Sequence, residues 1–449
     1  MSQWKKVKIG DICKIVKGTT GIASAEPGQY TLVVTAEERK TCSSYQFDCE
    51  AVCIPLVSSS GHGKKSLKNV HYQSGKFALG TILCAVIPNN PDELDARFLH
   101  QYLQFYKDTL LVPLMKGAAN VSLSMKDIAT VEFPLPPIEK QRELSDLFIT
   151  LQENQKKLTA ETEQQFEYTR LLRQNILQDA IEGKLTADWR KSHPVIKGNP
   201  DYDAEALFEK IQKGKVSPSL QPNKPSSATP SAGSNAARNA RSKKLSQITD
   251  EEKPFEIPEG WKWARLGELC NFGICQNIEP DSLKPDDWIL DLEDIEKDTG
   301  RIISIRTFSE NNSQSTKHVF YKGFVLYSKL RPYLNKVVIA PKNGYCTSEI
   351  LPLDFGVHNN SRYMQITLMS PYFVNYTTRL SYGMKMPRLG TNDGKIACIP
   401  LPPLKEQEEI VNKVESLLAK VTELENQIQE LKTLSEKLAF GIIKEKLEE

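Results

Sequence analysis

Two long stretches of the chain carry apolar residues at alternating spacings of four and three. Each follows a proline-rich entry, PLPPIEKQREL at 134–144 and PLPPLKEQEEI at 400–410, and these match at six of eleven positions at an offset of 266. The prolines suit a helix entry because they fix φ and lack an amide hydrogen. Neither Gly nor Pro then occurs for roughly forty residues. The pattern predicts two helices of roughly 44 residues, each on the order of 65 Å long.

The same spacing predicts that the two helices pack as a coiled coil, because a four-three alternation places apolar side chains on one stripe. Matched prolines and matched register disfavour the alternative of two unrelated surface helices. The first seam should be the weaker, since polar residues interrupt it at Gln155, Thr162, Gln165 and Thr169. The predicted seam residues are Leu144, Leu151, Leu158, Leu172, Val414, Leu417, Val421, Leu424, Ile428 and Leu431.

The residues before the first long helix are mostly strand-like. Short runs rich in β-branched residues occur at 30–35 (YTLVVT), 51–57 (AVCIPLV) and 81–87 (TILCAVI), and turn residues bound them. One helical pattern, with an apolar face, interrupts them from about residue 91 to 112. We therefore predict a mixed α/β domain over 1–135, followed by the first long helix over 136–185.

The first block begins again near residue 255. WKWARLG at 261–267 repeats WKKVKIG at 4–10, and GFVL at 323–326 corresponds to GTIL at 80–83. The chain is thus predicted to be a tandem duplication of class α+β, with a second domain over 255–401 and a second long helix over 402–449. The interiors of the two blocks match poorly, which is typical of two domains that bind different targets.

Residues 186–254 are predicted to be a largely disordered linker. The stretch 213–247 has no aromatic residue and is dominated by Ser, Pro, Ala, Asn and Lys. Such a segment cannot bury enough apolar surface to offset its ordering entropy. A short amphipathic helix near 204–212 is the expected exception.

Composition bounds the class of protein. A length of 449 residues suggests about three structural units, and 39% hydrophobic with 25% charged residues is ordinary for a globular protein. The net charge of +2 means that any nucleic-acid-binding surface must be local. Nine scattered cysteines without a CxxC pair, and no run of eighteen apolar residues, predict a cytoplasmic protein that neither is secreted nor spans a membrane.

Motifs for catalysis are weak. The nearest match to the Asn/Asp-Pro-Pro-aromatic loop of adenine methyltransferases is Asn199-Pro200-Asp201-Tyr202, which lacks the second proline. The segment 61–66 (GHGKKS) has the wrong glycine spacing for a phosphate-binding Walker loop. We therefore expect a chain that catalyses no reaction alone.

These features together resemble a specificity subunit of a Type I DNA restriction-modification system. The resemblance covers almost the whole chain and is carried by GFVLYSKLRPYLNKVVIAP at 323–341, GKLTADWR at 183–190, and the paired PLPP entries with Gln141 and Gln407. It implies two target-recognition domains joined by an antiparallel pair of long helices with a pseudo-two-fold internal repeat. Each domain would read one half of a bipartite DNA target.

The resemblance also implies partners. Two methylation subunits would dock on the helices and two translocating, nucleolytic restriction subunits would join them, so that adenine methylation or restriction is directed to the target on double-stranded DNA. AdoMet, ATP and Mg²⁺ would serve those partner subunits and not this chain. A different class of function remains as the alternative, a coiled-coil scaffold whose flanking domains bind proteins.

Basic, glycine-bearing loops at corresponding places in the two blocks are the expected DNA-binding surfaces. Backbone amides, cations and hydroxyls there suit phosphates and base edges, and an arginine can hold guanine through two hydrogen bonds. A solvated hairpin turn is the alternative for the loop at 61–66. The predicted DNA-binding residues are Ser59, Ser60, His62, Lys64, Lys65, Lys116, Asn120, Tyr327, Lys329, Arg331, Tyr333, Lys385 and Arg388.

Overall fold

The chain folds into two compact units. The computed structural model describes residues 4–60, 63–118, 120–216, 245–311 and 314–448. Unit 1 comprises residues 1–164 and 428–449, and unit 2 comprises residues 165–427. Most of the predicted disordered segment, residues 217–244, lies outside the described residues.

Unit 1 places two small sheets ahead of the first long helix. Four-stranded sheets have the strand orders β2-β9-β6-β7 and β4-β3-β8-β5, and β1 pairs with β10. The elements are β1 (Lys6–Lys8), α1 (Ile9–Ile12), β2 (Cys13–Lys17), β3 (Tyr30–Val33), β4 (Lys40–Cys42), β5 (Phe47–Asp48), β6 (Ala51–Pro55), β7 (His71–Gln73), β8 (Lys76–Leu79), β9 (Leu83–Pro88), α2 (Ala96–Leu110), α3 (Met125–Ala129), β10 (Glu132–Pro134) and α4 (Ile138–Ile181).

The apolar runs of unit 1 become its strands for the expected reason. Strand β6 is buried along its whole length and lies between β9 and β7, so its continuous apolar sequence matches its central place. Helix α2 begins where the Asp95 carboxylate accepts hydrogen bonds from the amides of Arg97 and Phe98. Its apolar face, including Phe98 and Leu103, is buried in the core. The strand and helix predictions for this block are therefore confirmed.

Unit 2 contains the second block, between the end of α4 and the start of the last helix. Its sheets have the orders β12-β15-β18-β13-β14 and β17-β16-β19, and β11 pairs with β20. The elements are α5 (Ala187–Ser192), α6 (Ala204–Val216), β11 (Lys262–Arg265), α7 (Leu266–Leu269), β12 (Asn277–Ile278), β13 (Trp288–Leu290), β14 (Arg306–Thr307), α8 (Phe308–Asn311), β15 (Lys317–Phe320), β16 (Val325–Ser328), β17 (Val337–Ile339), β18 (Gly344–Thr347), β19 (Ile350–Leu353), α9 (Ser361–Met369), α10 (Pro371–Leu380), α11 (Thr391–Ile396), β20 (Cys398–Leu401) and α12 (Leu404–Glu448).

The two units repeat the same frame around different sheets. In each, the first strand pairs antiparallel with the strand that precedes the PLPP helix, with Val7 opposite Phe133 in unit 1 and Ala264 opposite Ile399 in unit 2. The sheets between these pairs differ in strand number and order. The predicted tandem repeat and the fold class are confirmed, and the poor match of the interiors reflects different sheets.

Part of the predicted linker is folded. Residues 187–216 carry α5 and α6, and Leu207 and Ile211 of α6 are buried in the core of unit 2 together with Trp261. Helix α6 agrees with the helix expected near 204–212, whereas α5 corrects the assignment of its residues to a disordered linker. The apolar positions of α6 recur at helical spacing, so burying them offsets the entropy of ordering this segment.

The two long helices run antiparallel within each unit. In unit 1, Leu144 near the start of α4 shares a buried cluster with Leu447 near the end of α12, and the Ser435 hydroxyl donates to Gln155 Oε1 at 2.8 Å. In unit 2, Arg173 Nη2 lies 2.7 Å from Glu425 Oε2, and Lys413 Nζ donates to the carbonyl of Leu185. As residue numbers rise along α4, those of its neighbours on α12 fall, which confirms the predicted antiparallel pair.

Only some of the predicted seam residues are buried, and on α12 the predicted positions after Val421 are half-buried or exposed. Leu144, Val414 and Val421 are buried, whereas Leu151, Leu158, Leu417 and Ile428 are half-buried. Leu172, Leu424 and Leu431 have exposed fractions of 43%, 46% and 48%, so the prediction that they lie in the seam is wrong for this chain.

Polar residues on α4 explain this correction. Thr162 and Thr169 are buried where apolar seam residues would be needed, and Arg173 pairs with Glu425. Glu425, and not Leu424, therefore faces α4. A leucine at 424 gains little by facing a threonine or an arginine, since neither offers a fully apolar surface.

A glutamine at the start of each long helix anchors the helix to its unit. Gln141 Oε1 accepts from the amide of Asp95, and Gln141 Nε2 donates to the carbonyls of Glu93 and Pro136. Gln407 repeats this: its Oε1 accepts from the amide of Asn360, and its Nε2 donates to the carbonyl of Pro402. Both side chains are fully buried. The glutamine shared by the two PLPP entries thus joins each long helix to the first turn of α2 or α9.

Candidate nucleic-acid interface

In unit 2, a loop and a short hairpin lie side by side. The loop spans 329–336 and the hairpin spans 382–388. Tyr382 and Arg388 exchange backbone hydrogen bonds of 3.1 and 2.9 Å across the hairpin. The amide of Arg331 donates to the carbonyl of Pro387 at 2.7 Å, and that of Leu389 donates to the carbonyl of Lys329 at 2.9 Å. These bonds hold the loop and the hairpin as one surface.

Unit 1 builds the same surface from other residues. Its loop spans 58–66 and its hairpin spans 116–122, in which Lys116 and Ser122 exchange two hydrogen bonds of 2.8 Å. The amide of Ser58 donates to the carbonyl of Val121, and that of Leu123 donates to the carbonyl of Leu56. Hairpin positions correspond at an offset of 266, the offset of the PLPP entries. We call each loop with its hairpin the hairpin–loop site of that unit.

Serine hydroxyls shape the loop of unit 1. Ser58 Oγ donates to the carbonyl of Lys64 and accepts from the amides of Ser60 and Ser66. Ser59 Oγ accepts from the amide of Lys68, and the hydroxyls of Ser60 and Ser66 lie 2.7 Å apart. Ser59 and Ser60, predicted to contact DNA, thus also hold the loop closed.

A glycine brings the loop against the hairpin in unit 1. Gly63 has φ of +73°, and a Cβ built on it would lie 2.2 Å from the carbonyl oxygen of Ala118. Both the left-handed backbone and this close approach require glycine. The second glycine of the GHGKKS segment, Gly63, therefore serves packing between loop and hairpin. His62 lies outside the described residues.

The side chains that unit 1 exposes at this site are cationic or amide-bearing. Lys64, Lys65, Lys116 and Asn120 are exposed. Lys116 Nζ lies 3.1 Å from Asp127 Oδ1. Hydrogen bonds from Ser124 and Lys116 lower the pKa of the Asp127 carboxyl. Lys64 and Lys65 are thus the exposed cations of the loop, and the carboxylate of Asp127 holds Lys116.

The loop of unit 2 has a strained backbone. Arg331 and Asn335 both have φ of +49°, and a 3-10 turn over Pro332–Leu334 lies between them. A left-handed conformation costs a residue such as arginine about 1–2 kcal/mol, whereas asparagine adopts it more readily. Asn335 Nδ2 donates to the carbonyl of Met369, and Lys336 Nζ donates to that of Leu292, so tertiary contacts hold the turn. Tyr333 stands at its outer end with 47% of its surface exposed.

Arg388 is held by a carboxylate. Its Nε lies 3.2 and 3.1 Å from the two oxygens of Glu349, and its Nη2 lies 3.1 Å from Oε1. This hydrogen-bonded partner raises the pKa of the Arg388 guanidinium. Sequence reasoning missed Glu349, because residues 349 and 388 are distant in the chain and no spacing relates them. The pair orients the base of the hairpin.

Tyr327 does not belong to this surface, which corrects its assignment as a DNA-binding residue. It is 3% exposed on strand β16, and its ring packs near those of Phe272 and Phe373 at centroid distances of 6.5 and 5.8 Å. Burial raises the pKa of its hydroxyl. Lys329 and Arg331 are half-buried and Lys385 is exposed. In the sequence that begins at Tyr327, the tyrosine therefore belongs to the core, whereas Lys329 and Arg331 reach the surface.

The GKLTADWR segment closes against the start of the second long helix. Glu406, 2% exposed, accepts hydrogen bonds from the Thr186 hydroxyl, the Trp261 indole and the Arg190 guanidinium. Arg190 Nη2 also donates to the carbonyl of Gly183. We call this group of four side chains the Glu406 clasp. It gives the motif a structural role, since each hydrogen-bond donor helps to hold the buried carboxylate.

A family model described as the Type I restriction modification DNA specificity domain matches residues 1–168 and 258–433. The chain belongs to this family. The two matched segments coincide with the two copies of the repeated block, and each contains one hairpin–loop site and the start of one long helix. The role of the chain is therefore that of a DNA specificity subunit, and the scaffold alternative is not favoured.

Curated members of the specificity family agree with this assignment. The specificity subunit of the Type I restriction enzyme EcoDI from Escherichia coli is 26% identical over 426 residues, which are 95% of this chain and 83% of that protein. That of EcoAI from Escherichia coli is 24% identical over 267 residues, covering 57% of this chain and 40% of the relative.

A solved structure supports the fold. A chain from a type I R-M system, in a study of its complex assembly and conformational transition, superposes with a TM-score of 0.56. It covers 99% of this chain and 97% of that chain at 17% identity.

In the part of the specificity chain that the structure describes, no helix has the length and apolar character needed to cross a membrane.

Proposed function

We propose that each hairpin–loop site reads one half of a bipartite DNA target, so that this specificity chain directs adenine methylation or restriction by partner subunits. The observation that carries the proposal is that one backbone frame presents two different sets of side chains. Unit 1 offers Lys64, Lys65 and Asn120, whereas unit 2 offers Arg331, Tyr333 and Lys385. Phosphate contacts by such cations position a protein on DNA, while the variable side chains between them suit base edges.

Salt dependence tests the contribution of the unit 1 loop. The double variant Lys64→Ala, Lys65→Ala is expected to weaken target binding by the reconstituted complex, because two phosphates lose their cations. The negative slope of log binding constant against log salt should become less steep by about 1.8, since each phosphate neutralised contributes about 0.9. Fluorescence anisotropy on labelled target duplex at several salt concentrations measures it.

A matched control removes two exposed lysines from the strands β2 and β4 of the same unit, Lys14→Ala with Lys40→Ala. It changes the net charge equally and should leave the slope close to that of the wild type. Equal slopes for both double variants and the wild type would remove the loop from the DNA-binding surface.

We also propose that methylation subunits dock on exposed leucines of the long helices. In unit 1, Leu431, Leu434 and Leu438 are 48%, 65% and 62% exposed, and their spacing places them on one face of α12. We call these residues the outer leucine stripe. In unit 2, the long helices also expose apolar side chains, namely Tyr168, Leu171 and Leu424. Apolar side chains repeated along a helix face suit a protein partner better than water.

Charging the stripe should prevent assembly. The variant Leu431→Asp, Leu438→Asp loses the burial of two leucines, at about 1.5–3 kcal/mol each, so its affinity for a methylation subunit should fall about 100-fold or more. Analytical ultracentrifugation with the co-expressed methylation subunit measures the loss. Gln429→Asp with Lys437→Asp, on exposed positions outside the stripe, is the control. Normal assembly of the leucine variant would reject this docking surface.

We further propose that the chain is not itself a catalyst. The Asn199-Pro200-Asp201-Tyr202 segment has a structural role. The carbonyls of Pro200 and Asp201 accept hydrogen bonds from the amides of Leu404 and Lys405 at the start of α12. Tyr202 lies parallel to the rings of Trp189 and His193. A loop committed in this way does not fit the grip on a flipped adenine. AdoMet, ATP and Mg²⁺ are accordingly assigned to partner subunits, with two methylation and two restriction subunits per complex.

A further inference from the structure

The hairpin of unit 2 presents large apolar side chains to solvent. Met384 is fully exposed, and Tyr382 and Met386 are 64% and 48% exposed. Single exposed apolar residues are common on protein surfaces, but three within five consecutive positions form a local apolar projection. Lys385 lies between the two methionines and is exposed as well.

The base of this projection is held firmly. The two backbone hydrogen bonds between Tyr382 and Arg388 close the hairpin, and the amide of Arg331 ties the strand at Pro387 to the neighbouring loop. Glu349 fixes the Arg388 side chain. An apolar tip on an anchored base loses little backbone freedom when it enters a partner, which lowers the entropic cost of insertion.

The surroundings of the tip favour DNA as its partner. Lys385 at the tip and Arg331 and Lys329 on the adjoining loop are cationic. The carboxylate of Glu349, which belongs to this surface, is already paired with Arg388. An apolar tip among cations suits a polyanion whose stacked bases are apolar on their faces.

We propose that Met384 is a wedge that enters between stacked bases in the half-site read by unit 2. The proposal rests on the function proposed above and deepens it. DNA-bending proteins use methionine and other apolar side chains in this way, partly unstacking one base step while cations hold the flanking phosphates. The wedge makes readout depend on how easily that step deforms, in addition to base contacts.

The unit 1 hairpin lacks such a residue at its described positions. Between Lys116 and Ser122 it carries Gly117, Ala118, Asn120 and Val121, and Val121 is 5% exposed. No long apolar side chain of the described hairpin therefore projects into solvent. The two half-sites are treated unequally: the one read by unit 2 is unstacked and the one read by unit 1 stays stacked at the equivalent place.

The test uses the reconstituted complex of this chain with its methylation subunits. The methylated motif is first determined by methylation sequencing, and target duplexes are then made with 2-aminopurine in place of each adenine of either half-site, on either strand, in turn. This base brightens when it is unstacked. At saturating protein, wild type should show an increase at one step of the unit 2 half-site, Met384→Ala should lose about half of it or more, and Met384→Leu should retain it. Lys385→Gln should weaken binding without lowering the saturated signal.

The outcomes separate the wedge from the function on which it rests. Brightening caused by partner subunits that flip a base persists in Met384→Ala, so only the part lost in this variant is assigned to the wedge. If Met384→Ala binds the motif duplex and gives the wild-type signal at every position, the wedge is wrong and the DNA-reading function stands. If the wild-type complex binds motif and scrambled duplexes equally, the proposed function itself fails. If Met384→Ala gives the wild-type 2-aminopurine signals but assembles poorly with the methylation subunits, the methionine makes a protein contact instead, and the wedge is overturned.

Discussion

Replacing residues 1–133 with the corresponding segment of another member of the specificity family is expected to change one half of the methylated target completely and to leave the other half unaltered. The segment holds the whole hairpin–loop site of unit 1 and both members of the Val7–Phe133 strand pair, so the exchange carries its own frame. Unit 2 retains every contact of its own site. Methylation sequencing of cells that express the chimaera with its methylation subunits measures the result.

The reciprocal exchange of residues 255–399 is the matched control, since it should alter the opposite half-site only. Chimaeras that changed both halves together would contradict independent reading by the two units. A chimaera that methylated the original target would place recognition outside the exchanged segments.

Removing the cation of the Glu406 clasp is expected to destabilise unit 2 by about 3 kcal/mol, because breaking a largely buried ion pair leaves a carboxylate without its counter-charge. Side chains of Arg190 and Glu406 are 22% and 2% exposed. In Arg190→Met, Thr186 and Trp261 still donate to the carboxylate, so the loss should fall at the lower end of the usual range. Urea unfolding of the full chain, followed by tryptophan fluorescence, suits this test since four of its five tryptophans lie in unit 2.

Arg170→Met supplies the comparison. Arg170 pairs with Glu167 one helical turn away, and their side chains are 49% and 64% exposed. Exposed pairs of this kind contribute about 0–1 kcal/mol, so the midpoint of this variant should stay near that of the wild type. Equal midpoints for Arg190→Met and Arg170→Met would show that the clasp contributes no more than a surface pair.

Much of the fold could be predicted because its signals are local. The prolines, the helical spacing after them and the β-branched runs each act over a few residues, and they located the long helices and the strands of unit 1. The repeat followed from two matched motifs at one offset. The antiparallel pairing of α4 with α12 followed from seam spacing together with the family resemblance.

The remainder depended on contacts between distant residues. Spacing alone could not tell that Glu425 pairs with Arg173 and so turns Leu424 outward. Tyr327 and Lys329 are two residues apart, and only the position of β16 between its neighbouring strands decides that the tyrosine is in the core. Glu349 meets Arg388 across 39 residues, so the local basic pattern around Arg388 contained no sign of its partner.

The glutamine anchors at the PLPP entries bear on how such proteins diversify. The side chains of Gln141 and Gln407 each accept a hydrogen bond from the main-chain amide of a helix N-cap residue. That residue is Asp95 in unit 1 and Asn360 in unit 2. Main-chain amides are the same in every sequence, so this attachment places little demand on side chains of the attached domain. A recombination that joined a different recognition domain at the PLPP entry would therefore keep these hydrogen bonds, whatever side chains that domain carries.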